Sequence, residues 1–127
     1  GEANDFILGY CLYIGFTDER RPGAAAYDLP YGLGPFITTP DLVIEEGAEV
    51  FKSKFTFKLN GETLAEGDHT HPLFELMLME TSRGLPLLPS DVVAGPTWPV
   101  ELPRSIQPGD TLQFGSDKIG LLTLKVV

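Results

Sequence analysis

The most regular alternation of hydrophobic and polar residues runs over residues 50–59. Aromatic and aliphatic side chains at every second position alternate there with lysine and threonine. A period of two places the apolar set on one side of a β-strand, so this segment is predicted to be a strand with one face in water. Asn60-Gly61 follows directly, and both residues tolerate the positive φ of a type I′ turn. The pattern predicts a hairpin whose return strand covers residues 62–66.

The segment 6–16 has a different pattern, because apolar residues occupy both alternating sets of positions. Such a strand is predicted to be covered on both faces. Residues 18–34 follow as a polar loop rich in glycine and proline. Residues 34–41 are predicted to be extended and to end in a turn at Thr39-Pro40-Asp41.

A helical period occurs at residues 72–83, where apolar residues recur three and four positions apart. Pro72 suits the first turn of a helix, and Gly84 suits its end. Residues 87–93 are predicted to form a turn that leads into a short strand. Two further strands are predicted at residues 111–114 and 121–127. Trp98 is expected to pack over the core. Many short strands with one helix predict a single mostly-β domain over residues 1–127, a mixed β-roll or sandwich.

Composition narrows the function classes. The net charge is −9, from 18 acidic and 9 basic side chains, and this charge repels the phosphates of nucleic acid. No apolar run approaches the roughly 20 residues of a membrane helix, and no signal peptide is apparent, so a cytoplasmic location is expected. The single cysteine, Cys11, cannot form an internal disulfide or a sulfur-based zinc site and is expected to be a small core residue.

Several short motifs occur in a fixed order along the chain. They are Gly9-Tyr10, Gly34-Pro35-Phe36-Ile37-Thr38-Thr39-Pro40-Asp41, Asn60-Gly61-Glu62, Leu87-Leu88-Pro89-Ser90-Asp91-Val92-Val93, Pro108-Gly109-Asp110 and Ile119-Gly120-Leu121-Leu122. In order and spacing they resemble the fumarylacetoacetate hydrolase (FAH) family, in the C-terminal part of its catalytic domain. The fourth motif departs from the family pattern, since Ser90 stands where the family has glycine.

The resemblance implies a mixed β-roll, usually dimeric, in a family of metal-dependent enzymes. Its members act on 2-oxo and 1,3-dioxo acids by hydrolysis, decarboxylation, hydration or isomerisation. In that chemistry a divalent ion held by carboxylates polarises an enolisable oxo acid.

The resemblance also locates the family's site residues. Thr97 and Asp28 match substrate-binding positions. The family's metal aspartate aligns with Gly15, its arginine with Glu19 and its lysine with Ala25. Its paired glutamates belong to an upstream segment that this domain is expected to lack. The usual mechanism is therefore not expected from this chain alone.

Nearby charged residues offer replacements. Asp18, Glu19 and Arg20 are candidate catalytic residues in the loop that follows the first strand. Asp18, His69 and His71 are candidate metal ligands, because His-x-His in an extended segment places both imidazoles on one side. Alternatively, Asp68 and His71 serve turn or capping hydrogen bonds, and the charged loop forms only mutual ion pairs.

Two functions follow as hypotheses. The first is a catalytically degenerate FAH-like domain without a cofactor, which binds a small oxo acid or associates with another subunit, either a homodimer mate or a different partner. The alternative is a hydrolase or decarboxylase dependent on Mg²⁺ or Mn²⁺, with a rebuilt or partner-completed site. A third interpretation is that the sequence is a fragment of a longer enzyme.

Overall fold

A computed structural model describes residues 7–18, 20–23, 29–45, 50–72, 83–84, 86–94 and 98–127. In chain order the elements are β1 (Tyr10–Gly15), β2 (Tyr31–Thr38), α1 (Pro40–Val43), β3 (Val50–Leu59), β4 (Glu62–Pro72), β5 (Thr111–Ser116) and β6 (Gly120–Lys125). They form a two-stranded sheet, β1-β2, and a four-stranded sheet with the order β4-β3-β5-β6. Every described strand pair is antiparallel. The mostly-β fold class is thus confirmed.

The hairpin at Asn60-Gly61 has the predicted form. Both turn residues have positive φ, 50° for Asn60 and 83° for Gly61, which is the geometry that a type I′ turn requires. The return strand is longer than expected, because β4 continues beyond Glu66 to Pro72 and pairs along the length of β3, with one shift of register between Phe57 and Lys58. β3 offers backbone hydrogen bonds along its ten residues, and β4 follows them. The short apolar pattern of residues 62–66 does not indicate how far this pairing extends.

The core lies on one face of the four-stranded sheet. The apolar set of β3 is buried, and Phe51 and Leu112 are among the most deeply buried side chains. Residues from the segment after position 97 cover this face, and Trp98 packs against the core as expected. The full buried apolar set is Leu12, Ile14, Val43, Phe51, Phe55, Phe57, Leu59, Leu112 and Leu122.

The two-stranded sheet packs over the β5 and β6 side of this core. Leu12 and Ile14 of β1 are buried, whereas Tyr13 between them is 39% exposed. The expectation that this strand is covered on both faces is therefore wrong within this chain. The strand is also shorter than predicted, since residues 7–9 are outside it.

The structure differs from three other local predictions. The turn expected at Thr39-Pro40-Asp41 is the start of α1, a single helical turn closed by a hydrogen bond from Ile44 N to Pro40 O. β2 begins at Tyr31, so the loop before it is shorter than predicted. No strand occurs in the described residues 86–94, where the main-chain N–H of Asp91 bonds Leu88 O in a turn.

The helix predicted at residues 72–83 lies largely outside the described residues, and Pro72 itself ends β4. The last two strands are close to their predicted positions, with β5 two residues longer than expected and β6 ending at Lys125. Within the described residues, no helix is long and apolar enough to cross a membrane.

Candidate functional site

The loop after β1 places Asp18 between two arginines. Arg20 binds its carboxylate in a bidentate manner, with 2.9 Å from Nε to Oδ1 and 3.1 Å from Nη2 to Oδ2, and the main-chain N–H of Arg20 adds a third bond at 3.1 Å. Arg21 Nε lies 3.8 Å from Oδ2. The hydrogen bonds from Arg20 and the positive charge of both arginines lower the pKa of Asp18 below its ordinary value. Both oxygens of this candidate metal ligand are therefore occupied by guanidinium groups.

His69 lies in β4, and its Cα is paired with that of Ser53 on β3. Its ring centroid is 4.5 Å from that of Trp98 and 5.6 Å from that of Phe55. Phe114 completes an aromatic cluster with these residues, at 5.3 Å from Phe55. The two pairs of His69 are tilted and the Phe55–Phe114 pair is stacked, and both arrangements are favourable packing contacts at such distances. The imidazole of His69 therefore packs among aromatic side chains at the edge of the hydrophobic core.

The two candidate metal-binding regions are on different parts of the fold. Asp18 follows β1, which packs on β5 and β6, whereas His69 is on β4 at the opposite edge of the four-stranded sheet. Among the described residues, no three His, Cys, Asp or Glu side chains come together in an arrangement that could hold a metal ion. His71 has its Cα paired with Phe51, and its side chain is outside the description. Glu19, Asp28 and Thr97 also lie outside the described residues.

An ion pair between the exposed Arg104 and the buried Asp110 was not predicted from the sequence. Asp110 accepts hydrogen bonds from Arg104 Nη1 at 2.7 Å and Nη2 at 2.8 Å, from Asn60 Nδ2 at 3.0 Å and from Gln107 N at 2.8 Å. The bonds from Arg104, followed by those from Asn60 and Gln107, lower the pKa of Asp110 strongly. Asn60 Oδ1 in turn accepts a bond from Thr111 N at 2.8 Å.

This network joins the tip of the β3–β4 hairpin to the start of β5. The signal in the sequence was the pair of turn motifs, Asn60-Gly61 and Pro108-Gly109-Asp110, because turns that present polar side chains often bond one another. The hydrogen bond between Asn60 and Asp110 could not be inferred from their spacing, since 50 positions separate them along the chain.

A second network fastens the β5–β6 turn to β3. Ser53 Oγ donates to Asp117 Oδ1 at 2.6 Å and lies 2.7 Å from Ser116 Oγ. Ser116 Oγ accepts bonds at 3.2 Å from the main-chain N–H groups of Lys118 and Ile119. The hydrogen bond from Ser53 is the main cause of the lowered pKa of Asp117. The Ser53 hydroxyl donates its hydrogen bond to the Asp117 carboxylate and thereby stabilises the charged form of that carboxylate. We therefore assign this network a structural role.

Chemically, the part of the loop after β1 that is described presents two guanidinium groups around one carboxylate. Arg20 has 91% of its side chain exposed, so its ion pair with Asp18 is screened by water and can exchange with another anion. Guanidinium is suited to planar, bidentate recognition of carboxylates. The loop therefore offers an anion-binding arrangement in which Asp18 already fills one position.

The protein is a small mostly-β domain built from two packed antiparallel sheets. Hydrogen bonds join its Asn-Gly hairpin to the Pro-Gly-Asp turn, and a charged loop follows the first strand. The family model described as fumarylacetoacetate (FAA) hydrolase C-terminal matches residues 1–127. The chain belongs to the fumarylacetoacetate hydrolase family.

The chain is also similar to uncharacterized proteins of Staphylococcus aureus, including those of strains USA300, COL and N315. Each is 27% identical to it over 95% of this chain and 44% of the relative. The chain thus spans less than half the length of these curated relatives. No solved structure was found to match the chain.

Proposed function

We propose that this chain is a catalytically degenerate FAH-family domain that binds a small oxo acid or acts as a subunit-association module, and the loop after β1 favours the first of these roles. The observation that carries the proposal is the bidentate pairing of Asp18 with Arg20, with Arg21 beside it. Where a metal-dependent enzyme needs free carboxylates, this loop has a carboxylate already neutralised by arginine. The arginines suit the carboxylate of an oxo acid better than they suit a divalent cation.

Exchange is the proposed mode of binding. The carboxylate of the oxo acid displaces Asp18 from Arg20 and takes over the two parallel N–H···O bonds. Because the site is exposed to water, the loss of the existing pair costs little and the pair that replaces it gains equally little. Binding is therefore expected to be weak, with a Kd in roughly the millimolar range. Neither an activated nucleophile nor a bound metal is required for this step.

The test is calorimetric titration of chelator-treated protein with pyruvate, a 2-oxo acid, and with acetate, which shares only the carboxylate. Binding without metal is the expected result, with pyruvate tighter than acetate. Arg20→Ala should abolish it. Lys52→Ala is the matched control, since it removes one positive charge from the solvent-facing set of β3 and should leave binding unchanged.

Two results would contradict the proposal. One is binding of pyruvate that is equally strong in the Arg20→Ala protein, because the site would then be elsewhere. The other is binding only when Mg²⁺ or Mn²⁺ is present, which would favour the enzyme.

The second candidate function is a metal-dependent hydrolase or decarboxylase of 2-oxo or 1,3-dioxo acids, with ligands completed from outside this domain. The observation in its favour is that curated relatives are more than twice as long as the matched part. Among the candidate ligands whose side chains the structure describes, the carboxylate of Asp18, once released from Arg20, is the one that fits a hard divalent ion.

This alternative is tested by titrating the protein with Mg²⁺, Mn²⁺ and Zn²⁺. Micromolar one-to-one binding that disappears in the Asp18→Ala protein would support it and would justify a screen of oxo acids. Absence of binding for all three ions would leave the metal-free module as the better account.

A further inference from the structure

The tip of the β3–β4 hairpin has a chemically reactive pair of residues, Asn60-Gly61. The chain has two asparagines, of which Asn60 precedes a glycine and Asn4 precedes Asp5. The side-chain amide of an asparagine can be attacked by the main-chain nitrogen of the next residue, and glycine hinders this attack least because it has no Cβ. Asn60 is exposed, and no described atom lies within 4 Å of a Cβ added at Gly61, so water reaches the pair.

The reaction converts the side-chain amide of Asn60 into a carboxylate. The main-chain nitrogen of Gly61 bonds to Cγ of Asn60, the Cγ–Nδ2 bond breaks, and ammonia leaves with the hydrogen of the Gly61 N–H. Water then opens the cyclic imide, with its hydroxyl going to a carbonyl carbon and its hydrogen to the Gly61 nitrogen. Cleavage of the bond to Cγ gives aspartate, whereas cleavage of the bond to the main-chain carbonyl carbon gives isoaspartate. Water is the sole co-reactant.

The fold holds both ends of the Asn60 amide at the start of β5. Nδ2 donates to Asp110 Oδ1 at 3.0 Å, and Oδ1 accepts a bond from Thr111 N at 2.8 Å. The main-chain N–H of Asn60 also donates to Thr111 O at 2.8 Å. Asp110 is itself fixed by Arg104, through Nη1 at 2.7 Å and Nη2 at 2.8 Å. The amide therefore cannot turn until several hydrogen bonds break.

The conformation of the turn also opposes ring closure. Both turn residues have positive φ, and the first central residue of a type I′ turn has a ψ of about +30°. At that ψ the nitrogen of Gly61 lies nearly opposite Cβ of Asn60 across the Cα–C bond, whereas the imide ring requires both on the same side. The ring therefore closes only when residues 60–61 leave this conformation and the hairpin tip opens.

We propose that Asn60 is a site of spontaneous deamidation, and that the Arg104–Asp110 pair keeps it unreactive by holding the hairpin tip closed. Local opening of a turn requires less free energy than global unfolding, so the rate of deamidation reports how often this tip leaves β5. The proposal goes beyond oxo-acid binding and is independent of it, because it involves neither Asp18 nor Arg20.

The product of the reaction cannot restore the original network. Nδ2 of Asn60 is a hydrogen-bond donor to Asp110 Oδ1, and deamidation puts a carboxylate oxygen in place of that donor. Two negatively charged oxygens then face each other, and like charges at this separation repel. Isoaspartate also adds a methylene group to the main chain of a turn whose register depends on two residues. Deamidation is therefore a one-way change that releases the hairpin tip from β5.

The first experiment follows conversion of Asn60 by peptide mapping with mass spectrometry. The natural protein is incubated in mildly alkaline buffer, either folded or unfolded in guanidinium chloride. The folded protein should convert at least about tenfold more slowly, because two hydrogen bonds of ordinary net strength must break before the ring closes. Asn4 is the internal control for the chemistry, since the side chain of Asp5 hinders attack and this asparagine should react slowly in both samples.

Asp110→Ala tests the ion pair, because it removes the acceptor of Asn60 Nδ2 and the partner of Arg104. In folded protein it should raise the rate at least about threefold. Asp117→Ala is the matched control. Asp117 also belongs to a turn next to β5, but it accepts its bonds from Ser53 Oγ and Lys54 N, so its loss should leave the rate at Asn60 unchanged. Circular dichroism checks that both variants are folded.

Arg104→Ala is the second variant, for the case in which Asp110→Ala does not fold. It keeps the acceptor but frees it to move, so its rate should lie between those of Asp110→Ala and Asp117→Ala. Asn60→Asp introduces the product directly. It should lower the Tm relative to the natural protein, and the difference should narrow in acid as carboxylates gain protons.

The proposal is overturned if Asn60 converts equally fast in folded and unfolded protein. It is also overturned if Asp110→Ala or Arg104→Ala changes the rate no more than Asp117→Ala does, because the tip would then open without regard to the ion pair. An Asn60→Asp protein as stable as the natural one would contradict the release of the hairpin tip.

Discussion

The packing of the two sheets can be tested at a single glycine. Gly32 of β2 is buried, and an ideal Cβ placed on it would lie 2.4 and 2.5 Å from the two Cδ atoms of Leu124 and 2.9 Å from its Cγ. Ordinary contacts to a Cβ are at about 3.4 Å or more, so Gly32→Ala forces the Leu124 side chain to move by roughly 1 Å or to change rotamer. We expect the change to loosen the two-stranded β1-β2 sheet from β6.

The magnitude follows from two opposing contributions. Overpacking of a core by one methyl group costs about 1–3 kcal/mol. Replacing a strand glycine by alanine returns roughly 0.5–1 kcal/mol through chain entropy. The net loss in the free energy of unfolding is about 1–2 kcal/mol. For a domain of this length the corresponding fall in Tm is about 3–8 °C.

The assay is thermal and urea unfolding followed by circular dichroism, with a matched glycine as the control. Gly67 of β4 has nothing within 4 Å of an added Cβ, so Gly67→Ala should stabilise the protein slightly. The Leu124→Ala change removes the atoms that the new methyl group meets. In that background, Gly32→Ala should therefore cause little further loss in the free energy of unfolding. A coupling energy of about 1 kcal/mol between the two positions is expected.

One outcome would refute this argument. If Gly32→Ala raises the Tm as Gly67→Ala does, β2 does not lie against Leu124. The arrangement of the two sheets, and with it the solvent exposure of Tyr13, would then be incorrect.

Three further predictions concern local features. Ser90 has a φ of 77°, in the left-handed region that favours glycine, so Ser90→Gly should stabilise the protein by about 1 kcal/mol in urea unfolding while Ser105→Gly should not. The bonds from Arg104 lower the pKa of Asp110, so the stability that this carboxylate contributes is complete above about pH 4 and is lost as the pH falls through the lowered value. Asp110→Asn should therefore show a shallower decline of Tm between about pH 4 and 2 than the natural protein, and an equally steep decline would contradict this assignment. Leu112 is fully buried, so Leu112→Ala should cost about 2–5 kcal/mol in the same unfolding assay, and a loss below about 1 kcal/mol would place it outside the core.

Local chemistry was sufficient to predict the hairpin. The alternation along β3 and the two residues of the turn each have a preference that agrees with the final structure, so no long-range contact had to override them. Asn60 and Gly61 have the positive φ that their side chains, or the lack of one, make accessible. Ser90 shows the complementary case, because it has a φ of 77° at a position where the resemblance to the family implies glycine.

The extent of β4 and the exposed face of β1 could not be predicted in the same way. Strand length depends on the partner that supplies hydrogen bonds, and β4 extends to Pro72 because β3 is there to pair with it. An apolar side chain such as Tyr13 has the same identity whether it faces a core or solvent. Only the position of the other sheet decides which of these occurs.

The sequence by itself determined a mostly-β domain, its central hairpin and the family to which it belongs. These properties depend on residue order and on local backbone preference. The tertiary structure decided the partners: Arg20 for Asp18, Trp98 for His69, and Arg104 with Asn60 for Asp110. The reason is physical, because a side chain's charge and shape permit several partners, and only the folded backbone brings one of them within hydrogen-bonding or van der Waals distance.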